Sequence, residues 1–92
     1  MAIYDGEFKD NNIFGKGTFT KKNGDIYIGD FKNGLINGKG KYINSLGEQY
    51  IGGFLWGKKH GIGKFYNKDG KLIQFGNWKN DKFIGPIKNN NM

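Results

Sequence analysis

Apolar and polar residues alternate with a period of two along most of the chain, in short runs separated by turn-rich segments. Tyr27, Gly29 and Phe31 fall on one side of an extended segment, with Ile28 and Asp30 on the other. Further on, Gly38, Gly40 and Tyr42 oppose Lys39 and Lys41 in the same way. The pattern predicts strands near residues 3–8, 15–20, 26–31, 38–43, 49–54, 61–66 and 73–79, a weak last strand near 84–88, and no helix. Asn23-Gly24, Leu46-Gly47 and Asp69-Gly70 separate successive pairs of strands, and Asn-Gly and Asp-Gly are strong hairpin signals because both residues tolerate positive φ. The other connections, such as Lys32-Asn33-Gly34 through Asn37, read as longer loops, and the tail 89–92 reads as frayed.

The strands also repeat. Tyr4-Asp-Gly6-Glu-Phe8 returns as Tyr27-Ile-Gly29-Asp-Phe31 and Tyr50-Ile-Gly52-Gly-Phe54, then more weakly as Gln74-Phe-Gly76-Asn-Trp78. Nine residues after each central glycine come Gly15-Lys-Gly17, Gly38-Lys-Gly40, Gly61-Ile-Gly63 and finally Gly85-Pro-Ile87. The central glycines are 23, 23 and 24 residues apart, which divides the single domain 1–92 into units 4–26, 27–49 and 50–73 and a degenerate unit 74–88. Glycine ordinarily weakens a strand. Here it shares a face with Tyr4, Phe8, Phe19, Tyr27, Phe31, Tyr42, Tyr50, Phe54, Phe65 and Trp78, so a ring from one strand has room to lie across the glycine of the next.

These residues resemble the MORN-repeat family, whose pattern is roughly Tyr-x-Gly-x-Trp/Phe, a small loop, then Gly-x-Gly. The resemblance implies an all-β fold, an elongated, twisted, single-layer antiparallel sheet used as an interaction surface. It further implies association with membrane-proximal, cytoskeletal or ciliary assemblies. The fourth unit departs from the pattern, with Gln74 for Tyr, an inserted residue before Gly76, and Pro86-Ile87 closing the second segment. Such a unit reads as a cap.

Charge changes this picture little. The formal charge is +7 and all fifteen basic residues are Lys, spread from Lys9 to Lys88. Without Arg there is no planar fork for phosphate or guanine, which argues against nucleic acid and for general solubility. The absence of Cys fits a reducing compartment, and the N-terminal residues lack the pattern of a signal peptide, so the expectation is a cytoplasmic protein, with association to cytoskeleton, cilium or membrane as the further option.

Candidate chemistry is weak. Gly52 to Lys58 approaches a phosphate-binding loop, but Lys59 stands where Ser or Thr is needed and no helix is predicted to follow. Ser45 and His60, each the sole residue of its kind, fall at opposite ends of their hairpins. Asp5, Glu7 and Asp30 read as cross-strand partners of nearby Lys, not as metal ligands. The expectation is no catalytic residue, no metal, no cofactor and no small-molecule substrate.

A sheet without a second layer leaves an apolar face uncovered. Ten aromatic rings carry about 2,000 Å²; with two thirds of it covered by neighbours, about 700 Å² remains, more than a typical monomer exposes in one patch. The expected partner is a protein helix or peptide gripped by Tyr27, Phe31, Tyr50, Phe54, Trp56 and Trp78, with Trp56 and Phe83 at the rim. The alternatives are an acidic lipid surface read by Lys16, Lys39, Lys41 and Lys64, and burial within a larger assembly, including a homo-oligomer through edge strands or the aromatic face.

Overall fold

Each strand pairs only with its neighbours in sequence. The computed structural model describes residues 2–87. They form one open antiparallel sheet of β1 (Ile3–Lys9), β2 (Asn12–Thr20), β3 (Ile26–Lys32), β4 (Leu35–Ile43), β5 (Gln49–Leu55), β6 (Lys58–Tyr66), β7 (Leu72–Lys79) and β8 (Lys82–Pro86) in that order. The all-β single-sheet class expected from the alternation is the class observed, 49 × 27 × 17 Å in extent. The tail 89–92 and the end of the 84–88 strand lie outside the described residues.

Two kinds of connection alternate, and the sequence reading had their lengths reversed. Within a unit the hairpin closes on only two residues: Asp10-Asn11, Asn33-Gly34, Trp56-Gly57 and Asn80-Asp81, all at positive φ. Both central residues in the left-handed region define the turn that matches strand twist. The second strand of each unit therefore begins earlier than its alternation suggested, β4 at Leu35 instead of 38. Asn23-Gly24, Leu46-Gly47 and Asp69-Gly70 fall in the five-residue connections 21–25, 44–48 and 67–71. There Gly24, Gly47 and Gly70 adopt positive φ, and each donates its N–H to the carbonyl three residues back, at 3.0, 3.0 and 2.9 Å. Asn44 and Asn67 brace two of these loops, their side-chain oxygens accepting from Leu46 and Glu48, and from Asp69 and Lys71.

The registers align Gly6, Gly17, Gly29, Gly40, Gly52, Gly63 and Gly76 across successive strands, ending on Pro86. Rings fill this furrow in the first and third units, but not in the second, nor at Gly76, where the backbone of Gly85 and Pro86 closes it. Tyr4 lies over Gly17, and Tyr50 lies over Gly63 and Gly52. The hydroxyls of these two Tyr donate to the carbonyls of Glu7 and Gly53 at 2.8 and 2.9 Å. In the middle unit Ile36 occupies the space above Gly40 instead. Tyr27 is displaced and stacks on Tyr42, centroids 4.7 Å apart.

A side chain on these glycines would have no room. A Cβ on Gly52 would stand 2.5 Å from the Gly63 Cα and 3.0 Å from the Tyr50 hydroxyl, and one on Gly63 would run into the Tyr50 ring. Gly85 has open space. Gly52→Val and Gly63→Ala should each lower stability by about 1–3 kcal/mol, which for a domain of this size is about 4–8 °C in Tm per kcal/mol. Gly85→Ala should change Tm little, and equal losses at all three positions in thermal melts would show that ring packing is not what the glycines serve.

Candidate functional site: two faces and a row of turns

The face that carries the glycine furrow, here called the front, makes its own core. Phe31, Ile36, Tyr50, Phe54 and Trp78 are buried, and Tyr4, Ile13, Phe19, Tyr27, Tyr42, Phe65 and Phe83 pack against them. The rings interlock between units: Tyr4 meets Phe31, Tyr27 meets Phe54 and Tyr50 meets Trp78, with centroids 5.5, 6.3 and 5.1 Å apart. Edge-on geometry of this kind adds about 0.5–1.5 kcal/mol per pair beyond area burial. The Trp78 indole N–H donates to the Gly63 carbonyl at 3.1 Å.

The residues expected to grip a partner thus divide. Phe31, Tyr50, Phe54 and Trp78 are enclosed in the sheet's own core, at most 6% exposed. Tyr27 is half-buried, and Trp56 is 48% exposed and stands apart on its turn. The front also carries two adjoining depressions of about 220 and 260 Å³ that share Tyr27 and Gly57, the residue after Trp56. The first is floored by Phe19, Phe31 and Ile36, the second by Tyr42 and Phe54 with Lys59 and Asp81 at its end.

Lys59 was not foreseen. It pairs with Phe54 at the register place where Ile13 pairs with Phe8 and Ile36 with Phe31. Its ammonium lies over the rings of Tyr42, Tyr50 and Trp78, 5.5–5.6 Å from each centroid, a cation–π arrangement. Its backbone N–H donates to the Asp81 carboxylate at 2.8 Å, and its carbonyl accepts the Asp81 N–H at 3.1 Å. Burial, with the Asp81 charge nearby, pushes the Tyr50 hydroxyl up to about 12, so it stays a proton donor at neutral pH.

Asp25 was missed as well. It is buried in the first long loop and ties that loop to the next. The Tyr42 hydroxyl donates to it at 2.8 Å, the Ser45 N–H at 3.1 Å and the Asn23 amide at 3.2 Å. Burial disfavours its charge, but these donors together with Lys21 outweigh burial and hold its carboxyl below the usual range. No periodic signal marks it, because Glu48 and Lys71 stand at the corresponding places.

The other face, the back, carries the Lys residues considered for lipid. Lys16 pairs with the Asp30 carboxylate, which also accepts the Lys39 N–H at 3.4 Å. Glu7 accepts the Lys16 N–H at 2.9 Å. The acids therefore serve mainly as braces at the bulges beside Gly6 and Gly29. Lys39, Lys41 and Lys64 share the back with Ile28, Ile51 and Phe75, each 37–42% exposed. Ser45 and His60 lie toward opposite long edges of the sheet, one in a loop and one beside a turn.

The family model for the MORN repeat matches residues 4–26, 27–45 and 50–71, more than half of the chain. The chain belongs to the MORN-repeat family. A search of the curated proteins gives no match. MORN repeats serve as protein- or membrane-interaction modules. The three matched segments carry the interlocking Tyr and Phe pairs, whereas β7 and β8 follow the last match.

Among these contacts Asp25 offers the sharpest test of how MORN units are joined. Asp25→Ala leaves the Tyr42 hydroxyl and Ser45 N–H without their acceptor and should cost about 1–3 kcal/mol. Because the folded carboxyl has the lower pKa, its contribution is present above about pH 4 and is lost as pH falls through the folded value. Thermal melts from pH 2 to 7 should show a shallower acid loss for the variant; identical slopes would mean that Asp25 is not the linked group.

Proposed function

We propose that this MORN-repeat chain is a non-enzymatic interaction module that receives a segment of a protein partner, a helix or an extended peptide, in the trough of its front face. One observation carries the reading: the trough is lined by half-buried Phe19, Tyr27 and Tyr42 and by Gly57, and Trp56, which precedes Gly57 in the same turn, is held in a backbone conformation that Trp rarely adopts. The turn position it holds, φ +49°, belongs to Asp10, Asn33 and Asn80 in the other units. Asn and Asp tolerate that region, whereas a bulky side chain pays about 1–2 kcal/mol to be there. The surroundings enforce it: the Trp56 N–H donates to the Asn37 side chain at 2.9 Å and the Gly57 N–H to the Ile36 carbonyl at 2.8 Å. The indole is outside the buried core, about half exposed, with the Lys32 ammonium over its ring at 5.8 Å. Strain kept at an exposed aromatic supports a role outside folding. The buried Phe31 and Phe54 then act as the rigid floor, Tyr50 and Trp78 as core of the sheet outside it, and Tyr27 and Trp56 as the accessible anchors.

Trp56→Asn should raise Tm, because the turn is relieved, while weakening the partner. A partner recovered by affinity purification and then purified should lose about 1–2 kcal/mol of binding to Trp56→Ala or Trp56→Asn, and much less to Lys39, Lys41 and Lys64 all changed to Gln. Loss of binding on removing the three Lys, with indifference to Trp56, would sink the trough reading in favour of an acidic surface on the back.

A further inference from the structure

The back of the sheet carries a band that the front-face reading does not use. Cross-strand partners place Thr18, Ile28, Lys41, Ile51, Lys64 and Phe75 in one row from β2 to β7. Beside it runs a second row that includes Ile26, Ile43 and Tyr66, paired through Gln49. The two rows make a stripe about 10 Å wide, and from Ile28 to Phe75 it spans four strand spacings, about 19 Å. No second layer covers it, although apolar side chains of this density ordinarily mark the inner face of a two-layer packing.

Charge and spacing select what fits. Strands β4 to β8 contain no Asp or Glu, so Lys41 and Lys64 stand without an acid on that part of the back. Lys64 lies over the Phe75 ring at 5.0 Å, keeping its ammonium on the stripe. The two Lys are two strand spacings apart, about 10 Å. Seven residues of α-helix rise about 10.5 Å and a helix is about 10 Å across. An extended strand repeats its faces every 6.8 Å or so and does not match. Ile28, Ile51 and Phe75 recur at the same interval, half a period out of step with the Lys.

We propose that this stripe is a second docking surface, and that its occupant is an amphipathic helix of three to four turns with carboxylates seven residues apart along one flank. The helix lies across the strands, its apolar face on the Ile and Phe positions and its carboxylates on Lys41 and Lys64. With a partner in the front trough as well, the module holds two protein segments on opposite faces.

The test uses the full chain and synthetic probes. A labelled two-heptad peptide, about four turns of helix, with Leu at the apolar places and Glu along one flank is titrated by fluorescence anisotropy. Its comparisons are a scrambled peptide, a Lys-for-Glu peptide and a proline-rich peptide with Glu at every third residue. The Glu peptide should bind and the other three should not. Ile28→Thr with Ile51→Thr, which keeps strand-forming residues, should weaken it at least tenfold. Lys41→Glu with Lys64→Glu should abolish binding of the Glu peptide and create binding of the Lys peptide, a swap that a merely misfolded variant does not give. Trp56→Ala should leave the titration unchanged, which separates this surface from the front trough. Equal binding of the scrambled or proline-rich peptide would overturn the proposal, as would failure of the charge swap. So would a self-associated chain that dissociates with the two Ile changes, or binding of phosphatidylserine vesicles through these residues with no binding of the helix.

Discussion

The contact on which everything else rests is that of one side chain lying across the glycine of the next strand. Seven glycines line up across the sheet; a Tyr side chain takes Cβ space at Gly6, Gly17, Gly52 and Gly63 and the end of Ile36 at Gly40, while at Gly29 and Gly76 the backbone of the next strand takes it. A single layer has no opposing sheet or helix to bury its apolar residues. It buries them by laying them down on its own backbone, and only glycine leaves the space. The entropic penalty of glycine in a strand is the cost of having a core at all.

That solution makes the two faces unequal. The front spends most of its rings on self-packing, and the interlock of each unit's Tyr with the next unit's Phe or Trp couples neighbours without a turn of helix. The place beside these rings holds Ile13 and Ile36 in the first two units and Lys59 in the third. Ile36 takes the glycine furrow and releases Tyr27, whereas Lys59 leaves the furrow to Tyr50 and sets its charge among three rings. The trough in the middle of the array lies where Ile36 covers Gly40 and Tyr27 stacks on Tyr42. The back, which builds no core, retains exposed Ile and Phe between its Lys residues.

The turns complete the division of labour. Along one edge, Gly34, Gly57 and Asp81 each donate a backbone N–H to a carbonyl of the preceding unit, at 3.1, 2.8 and 3.1 Å. These regular bonds hold the turn shape firmly enough that even Trp is accommodated at Trp56. Along the other edge Asp25 and the two Asn braces tie the loops. Rigid edges let the sheet present surfaces without a second layer behind them.

Period and alternation were enough to read the number of strands, their order of pairing, the glycine–aromatic face and the repeat family, because each of these depends on neighbours in sequence or on the constant 23-residue spacing. Turn lengths were misread at Asn33-Gly34 and Trp56-Gly57, since a two-residue turn and a longer loop use the same residue types and differ only in φ. The anchor set was legible as a list of rings, but not which of them remain accessible: Tyr50 and Trp78 are buried by contacts with other units, and Tyr27 is freed by Ile36. Asp25 and Lys59 were invisible because the donors that tie Asp25 to the next loop, Tyr42 and Ser45, lie 17 and 20 residues away and the rings around Lys59 lie in three different strands. Alternation assigns a residue to a face; only the packed sheet decides whether that face is already filled, because burial depends on volumes brought together from distant units.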